Sequence, residues 1–223
     1  MGRLDGPEGK ILVGVGFAPA GLLVERLVMP HPHGLGPEQA RRHLGQQRAA
    51  IGARHGLDSD RIVCGAGSDE VLGLLAKAYA GPGDEVLFGE HAFIMYPLFA
   101  LAVGAVPVKA PETDFTLSVD ALLDKVTDKT RIVYVANPNN PTGTMVTQHE
   151  MKRLRHGLRE DILLVIDAAY AEYVTRNDYS PGIELVDAGE NLLQAGTGPL
   201  ASLAFGFATT LLCRAGQLLL QLG

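Results

Sequence analysis

Tryptophan is absent from this chain, cysteine occurs only twice, and nowhere do lysine and arginine cluster. Each shortage closes off a class of function. Cys64 and Cys213 form no CxxC pair and no Cys/His array with zinc spacing, which argues against a zinc module or a disulfide scaffold. So few cysteines fit a reducing, cytoplasmic compartment. Lysine and arginine total 19 against 25 acidic residues, for a net charge of −6. Nucleic acid is not an expected partner, because a phosphate backbone demands concentrated positive charge. Charge is scarcest at residues 194–223, where Arg214 stands alone. The uncharged run 192–213 has the length to span a bilayer. Gly196, Gly198, Pro199 and Gly206 interrupt it and its flanks carry little charge, so a membrane anchor is not the expected reading. A secretory signal over residues 11–24 is opposed by Asp5 and Glu8 before it and Pro19 within it.

What is present is ordinary for a folded domain: 47% hydrophobic and 20% charged residues, enough to bury a normal core. Residues 49–193 alternate short apolar strands with amphipathic helices. Strands are expected at 61–64, 85–88, 106–109, 131–136 and 163–167. Helices are expected at 68–80, 94–103, 119–126 and 147–158. Thr147, with Glu150 three residues on, has the pattern of a capping box. Gly81-Pro-Gly-Asp84 reads as a turn. This rhythm implies an α/β fold, a mostly parallel sheet flanked by helices on both faces. Residues 1–48 form an atypical, Gly-, Pro-, Arg- and His-rich segment without sustained periodicity. Residues 194–223 form an apolar tail. Neither end continues the rhythm, and both are expected to pack poorly.

Three motifs could carry chemistry. Gly65-Ala-Gly-Ser-Asp-Glu70 joins a strand to a helix. Its glycines let a ligand approach the backbone, and the helix start presents free N–H groups suited to phosphate. A tight turn capped by Ser68 remains an alternative. Asn137-Pro-Asn-Asn-Pro-Thr-Gly143 follows a buried strand, and its Asn-Pro steps predict a rigid, extended path. Such a loop can aim an amide at a ligand beyond the strand ends of an open α/β sheet, although it also suits a surface connection. Asp167 ends an apolar strand, where a partly desolvated carboxylate needs a partner. A protonated ring nitrogen would serve, as would a role as helix N-cap.

Taken together, in this order, the motifs resemble the fold-type I, class I/II aminotransferases that depend on pyridoxal 5'-phosphate. The local sequence is similar to the histidinol-phosphate branch in particular. The matching stretches are Arg54-His-Gly, Asp60-Arg-Ile-Val, Gly67-Ser-Asp-Glu70, His91-Ala-Phe93, Met95-Tyr96, Asn137-Pro-Asn-Asn-Pro-Thr-Gly-Thr144 and Asp167-Ala-Ala-Tyr-Ala-Glu-Tyr173. The resemblance covers residues 49–193 and implies that they are part of the cofactor-binding large domain. It implies phosphate binding at Ser68 and Asp69, and stacking of Phe93 on the cofactor's pyridine ring. It further implies contacts of Asn140 and Tyr170 to the phenolic oxygen, and pairing of Asp167 with the ring nitrogen. The implied reaction moves an amino group between histidinol phosphate and 2-oxoglutarate, within histidine biosynthesis, in a homodimer acting on small molecules. An aromatic aminotransferase or a phosphoamino-acid decarboxylase is the neighbouring alternative, and a non-catalytic cofactor-binding fragment is another. A general nucleotide-binding domain fits less well, because residues 65–70 hold neither a Walker lysine nor a full dinucleotide glycine pattern.

One departure from the family pattern matters most. The resemblance calls for a lysine after Asp167, in a Thr-x-Ser-Lys context, to form a Schiff base with the cofactor and move the α-proton. The lysines here are Lys10, Lys77, Lys109, Lys125, Lys129 and Lys152, all before Asp167. The catalytic lysine is therefore missing, and the chain as written is expected to be inactive. The family's small domain, with its carboxylate-binding arginine, is not recognisable either. Back-translation suggests a cause. Codons permitted for residues 196–203 read, in a shifted frame, as Asp-Arg-Thr-Phe-Ser-Lys. The tail from about residue 194 is thus expected to be out of frame.

Overall fold

The structure is a computed structural model that describes residues 10–13, 37–65, 68–188, 192–196 and 209–213. Its centre is a five-stranded sheet in the order β4-β3-β7-β8-β9, with every neighbouring pair parallel. The strands are β3 (Glu85–Gly89), β4 (Val106–Ala110), β7 (Thr130–Ala136), β8 (Leu163–Ala168) and β9 (Leu192–Gly196). Every residue of β8 is buried, as are six of the seven in β7. That is the signature of strands covered on both faces. Alternate residues of β7 serve two cores. Val133 and Val135 join Leu87, Leu164 and Ile166 on one side, under α4 (Val119–Asp124) and α5 (Gln148–Gly157). Ile132, Tyr134 and Ala136 join Phe88 and Val165 on the other, under α2 (Ser68–Tyr79) and α3 (Met95–Ala102). Thr147 caps α5 by accepting from the Glu150 amide at 3.3 Å.

Three features depart from the sequence expectation. The strand β2 (Ile62–Gly65) is not in the parallel sheet. It lies at the edge of a three-stranded antiparallel sheet, β1-β10-β2, with β1 (Lys10–Val13) and β10 (Thr209–Cys213). Strand partnership depends on distant segments, which local periodicity does not encode. Second, the helix α1 (Pro37–His55) runs unbroken through the boundary expected after residue 48. Pro37 and Glu38 suit its first turn, Arg54 and His55 its last, and Gly56 at φ +67° ends it. Its large apolar residues are few, and Leu44 is exposed, so no stripe announces it. Third, β9 crosses the boundary expected after residue 193 and pairs in register with β8 as far as Gly196. The remainder of both ends, including residues 197–208 and 214–223, lies outside the described residues. No helix among the described residues is long and apolar enough to cross a membrane.

The chain turns back between β4 and α4 through a small hairpin, β5 (Glu112–Thr113) and β6 (Thr116–Leu117). Asp114 and Phe115 form its tip in the left-handed region, at φ 50° and 59°. The last helix among the described residues, α6 (Ile183–Ala188), precedes β9.

Candidate active site at the carboxyl ends of the parallel strands

The parallel sheet brings the ends of β3, β7 and β8 to one edge, where open α/β sheets bind their ligands. Asp167 lies there, next to last in β8 and only 7% exposed. One carboxylate oxygen accepts from the Tyr96 hydroxyl at 2.9 Å, and the other from the Ala169 amide at 3.2 Å. A carboxylate offers about four acceptor positions, so two donors leave it half served. No cation among the described residues contributes to its balance. Burial pushes the Asp167 carboxyl up to about 6, against the two hydrogen bonds that favour its charged form, and the nearby Asp69 charge adds to the rise.

An aromatic column supports this acid. Tyr96, fully buried on α3, stacks on Tyr134 of β7 with ring centres 4.7 Å apart and planes 10° from parallel. The Tyr134 hydroxyl donates to the Leu72 carbonyl at 2.8 Å, which ties α2 to the sheet. Phe93 packs edge-on against Tyr96 at 5.7 Å. Burial and then the Asp167 charge hold the Tyr96 phenol well above its ordinary range, so it stays a donor.

The loop after β7 supplies Asn140, whose amide lies 3.5 Å from the Tyr170 hydroxyl, two residues beyond the end of β8. The loop does not follow the extended path expected of it. Asn137, completely buried, closes it by bonding both backbone groups of Val146: its side-chain NH₂ donates at 3.0 Å and its carbonyl accepts at 2.9 Å. The inner turn is held by the Asn139 amide on the Thr144 carbonyl and the Gly143 amide on the Asn139 carbonyl. Both Asn-Pro bonds are cis.

Ser68 and Asp69 begin α2, while Ala66 and Gly67 of the same motif lie outside the described residues. The structure thus groups Phe93, Tyr96 and Asp167 by direct contact chains, joins Asn140 to Tyr170, and sets Asp69 near enough for its charge to reach Asp167. Tyr96, Tyr134 and Asn137 were not singled out as site residues from the sequence. Tyr96 falls one helical turn after Phe93, which is a usable signal. Tyr134 is a lone hydroxyl in an apolar strand and gives none.

This cradle suits pyridoxal phosphate. A half-served carboxylate with no cation among the described residues could take a protonated ring nitrogen, and the joined Asn140 amide and Tyr170 phenol could serve an oxygen of such a ring. No cluster of His, Cys, Asp and Glu among the described residues has the form of a metal site.

Comparison with known proteins leads to the same place. Residues 39–207 match the family described as aminotransferase class I and II. A histidinol-phosphate aminotransferase from Paramagnetospirillum magneticum is 56% identical over 191 residues, covering 86% of this chain and 50% of that protein. The crystal structure of histidinol-phosphate aminotransferase from Sinorhizobium meliloti, in complex with pyridoxal-5'-phosphate, superposes with a TM-score of 0.69. It is 25% identical and covers 76% of this chain and 47% of that one. A Thermus thermophilus aspartate aminotransferase variant has a TM-score of 0.66 at 22% identity, covering 76% and 49%, a likeness of fold alone. The chain spans about half the length of the curated relatives it matches. The family match also continues past residue 193, where a change of frame was expected.

Proposed function

The chain belongs to the class I and II aminotransferase family, and on that premise we propose that it carries the cofactor-binding part of a pyridoxal-phosphate-dependent aminotransferase of the histidinol-phosphate type. The observation that carries this reading is Asp167, a buried acid at the sheet edge with no cation among the described residues to neutralise it. The bound cofactor supplies an electron-poor ring that takes up the electron pair left at the substrate's α-carbon.

The chain's own residues prepare for that chemistry. Asp167 holds a proton on the ring nitrogen, and Tyr96 fixes the direction of the carboxylate. Asn140 and Tyr170 orient the phenolic oxygen, and Phe93 covers one ring face and excludes water. The start of α2 at Ser68 and Asp69 takes the phosphate through backbone N–H groups and the Ser68 hydroxyl. The Asp69 carboxylate, being negative, does not take part in that contact. Residues 49–193 hold all of these groups.

The substrate reading rests on sequence similarity to the histidinol-phosphate enzymes, since the fold is shared with aspartate aminotransferase. Histidinol phosphate and 2-oxoglutarate are the proposed pair, handled by a homodimer in the cytoplasm. Amine-based proton transfer at the α-carbon needs a lysine beyond Asp167, and this sequence has none there. The chain alone therefore binds cofactor without turnover.

The test supplies pyridoxal phosphate, histidinol phosphate and 2-oxoglutarate and measures glutamate. The chain alone should give none. The same chain joined to an in-frame Thr-x-Ser-Lys segment and small domain should be active. Turnover by the chain alone, or a completed enzyme that prefers an aromatic amino acid, would overturn the respective part of the reading.

A further inference from the structure

Tyr179 belongs to no motif singled out in the sequence, yet the structure places it against the site. It is half-buried, and its hydroxyl donates to the Asn137 carbonyl at 2.8 Å. Burial first, and then the Asp167 charge, push its phenol well above the ordinary range, so the hydroxyl keeps its proton.

With this bond, every polar group of Asn137 is engaged. The backbone amide donates to the Asp167 carbonyl at 2.9 Å, the side chain holds both backbone groups of Val146, and the backbone carbonyl accepts from the Tyr179 hydroxyl. Asn137 is thus the knot at which the strand end bearing Asp167, both ends of the 137–146 loop and the 178–184 segment meet.

The segment that delivers Tyr179 is itself fixed on three sides. The Asp178 carbonyl accepts from the Gln148 amide at 2.8 Å, at the start of α5. Glu184 accepts from Gln148 at 2.7 Å and from Ser180 at 2.6 Å. Gly182, at φ +90°, lies so close to β8 that an added Cβ would come within 2.6 Å of the Ile166 side chain. A hydroxyl on a segment held this way has a fixed position.

We propose that Tyr179 is a positioning residue. By locking the Asn137 carbonyl it fixes the 137–146 loop against β8, and so sets where Asn140 stands relative to Asp167. This rests on the cofactor reading above, but the loop's order can be measured without cofactor.

The experiment compares the full chain with its Tyr179→Phe and Ser180→Ala variants. Ser180→Ala weakens the same segment while leaving the Tyr179 hydroxyl bond in place, and it serves as the comparison for a merely structural role. Amide hydrogen exchange is measured on the cofactor-free proteins, followed by titration with pyridoxal phosphate. In Tyr179→Phe, the amides of Asn139, Gly143, Thr144 and Val146 should exchange about tenfold faster while those of β3 and α4 do not change. Affinity for pyridoxal phosphate should fall roughly three- to tenfold, the usual effect of one lost hydrogen bond. Ser180→Ala should leave the loop amides and the affinity as they are. The role of Tyr179 is overturned if its variant binds and exchanges like the parent, or if both variants speed exchange uniformly. A parent chain that does not bind pyridoxal phosphate would instead sink the cofactor reading, and the exchange data would still decide whether Tyr179 holds the loop.

Discussion

Two carboxylates are buried at the carboxyl edge of the parallel sheet, and the chain treats them differently. Glu112, on the hairpin after β4, has a side chain 2% exposed. It accepts from the His91 amide at 3.2 Å and pairs with the His91 ring at 2.9 Å. Asp167, after a similar approach along β8, has a phenol and one amide, and no basic side chain among the described residues. One acid is completed by its own chain and knits two loops together. The other is buried with no basic partner among the described residues, as a binding group would be.

The largest expected effect separates their roles in binding. Asp167→Ala should weaken pyridoxal phosphate binding on the order of 10- to 100-fold, the range for a charge-assisted contact. Glu112→Gln should change it less than about twofold. Fluorescence titration checks both, and equal losses would erase the distinction.

Stability against pH gives the next largest effect. Asp167 has its folded pKa raised to about 6, so burying its charge destabilises the fold as pH rises from the carboxyl's ordinary range through that value. Without cofactor, Asp167→Asn should therefore be more stable than the parent at pH 8, by up to about 3 kcal/mol, and equal to it near pH 4. Denaturant melts across pH test this; a difference that grows toward acid would have the wrong sign. Glu112→Gln should do the reverse at neutral pH, destabilising by about 1–2 kcal/mol through its lost pairing with His91. Smaller still, Tyr170→Phe should weaken pyridoxal phosphate binding about two- to fivefold, given the long 3.5 Å contact to Asn140.

Much of this site was legible because its landmarks are local. Asp167 ends an apolar run, Thr147 precedes a capped helix, and the Asn-Pro steps mark a loop that cannot be ordinary strand or helix. The strands near 85, 106, 131 and 163 came from the same local patterns. The partners of these landmarks were less legible. Tyr96 meets Asp167 from 71 positions away, Tyr134 stacks on Tyr96 from a separate strand, and Tyr179 reaches back 42 to Asn137. No periodicity encodes such meetings. The antiparallel placement of β2 was hidden for that reason too. The β5–β6 hairpin escaped because its tip is Asp114-Phe115, without the glycine or asparagine that announces a left-handed turn. The helix α1 escaped because it buries too little to show a stripe.

The account turns on what Asp167 is for, and an analogue tests that directly. Pyridoxal phosphate and its counterpart with a carbon in place of the ring nitrogen should be titrated against the parent chain and Asp167→Asn at pH 7.5. The parent should bind pyridoxal phosphate at least about tenfold more tightly than the analogue, and Asp167→Asn should bind the two alike. Equal binding of the two by the parent chain would contradict the pairing of Asp167 with the ring nitrogen, and with it the function proposed for this chain.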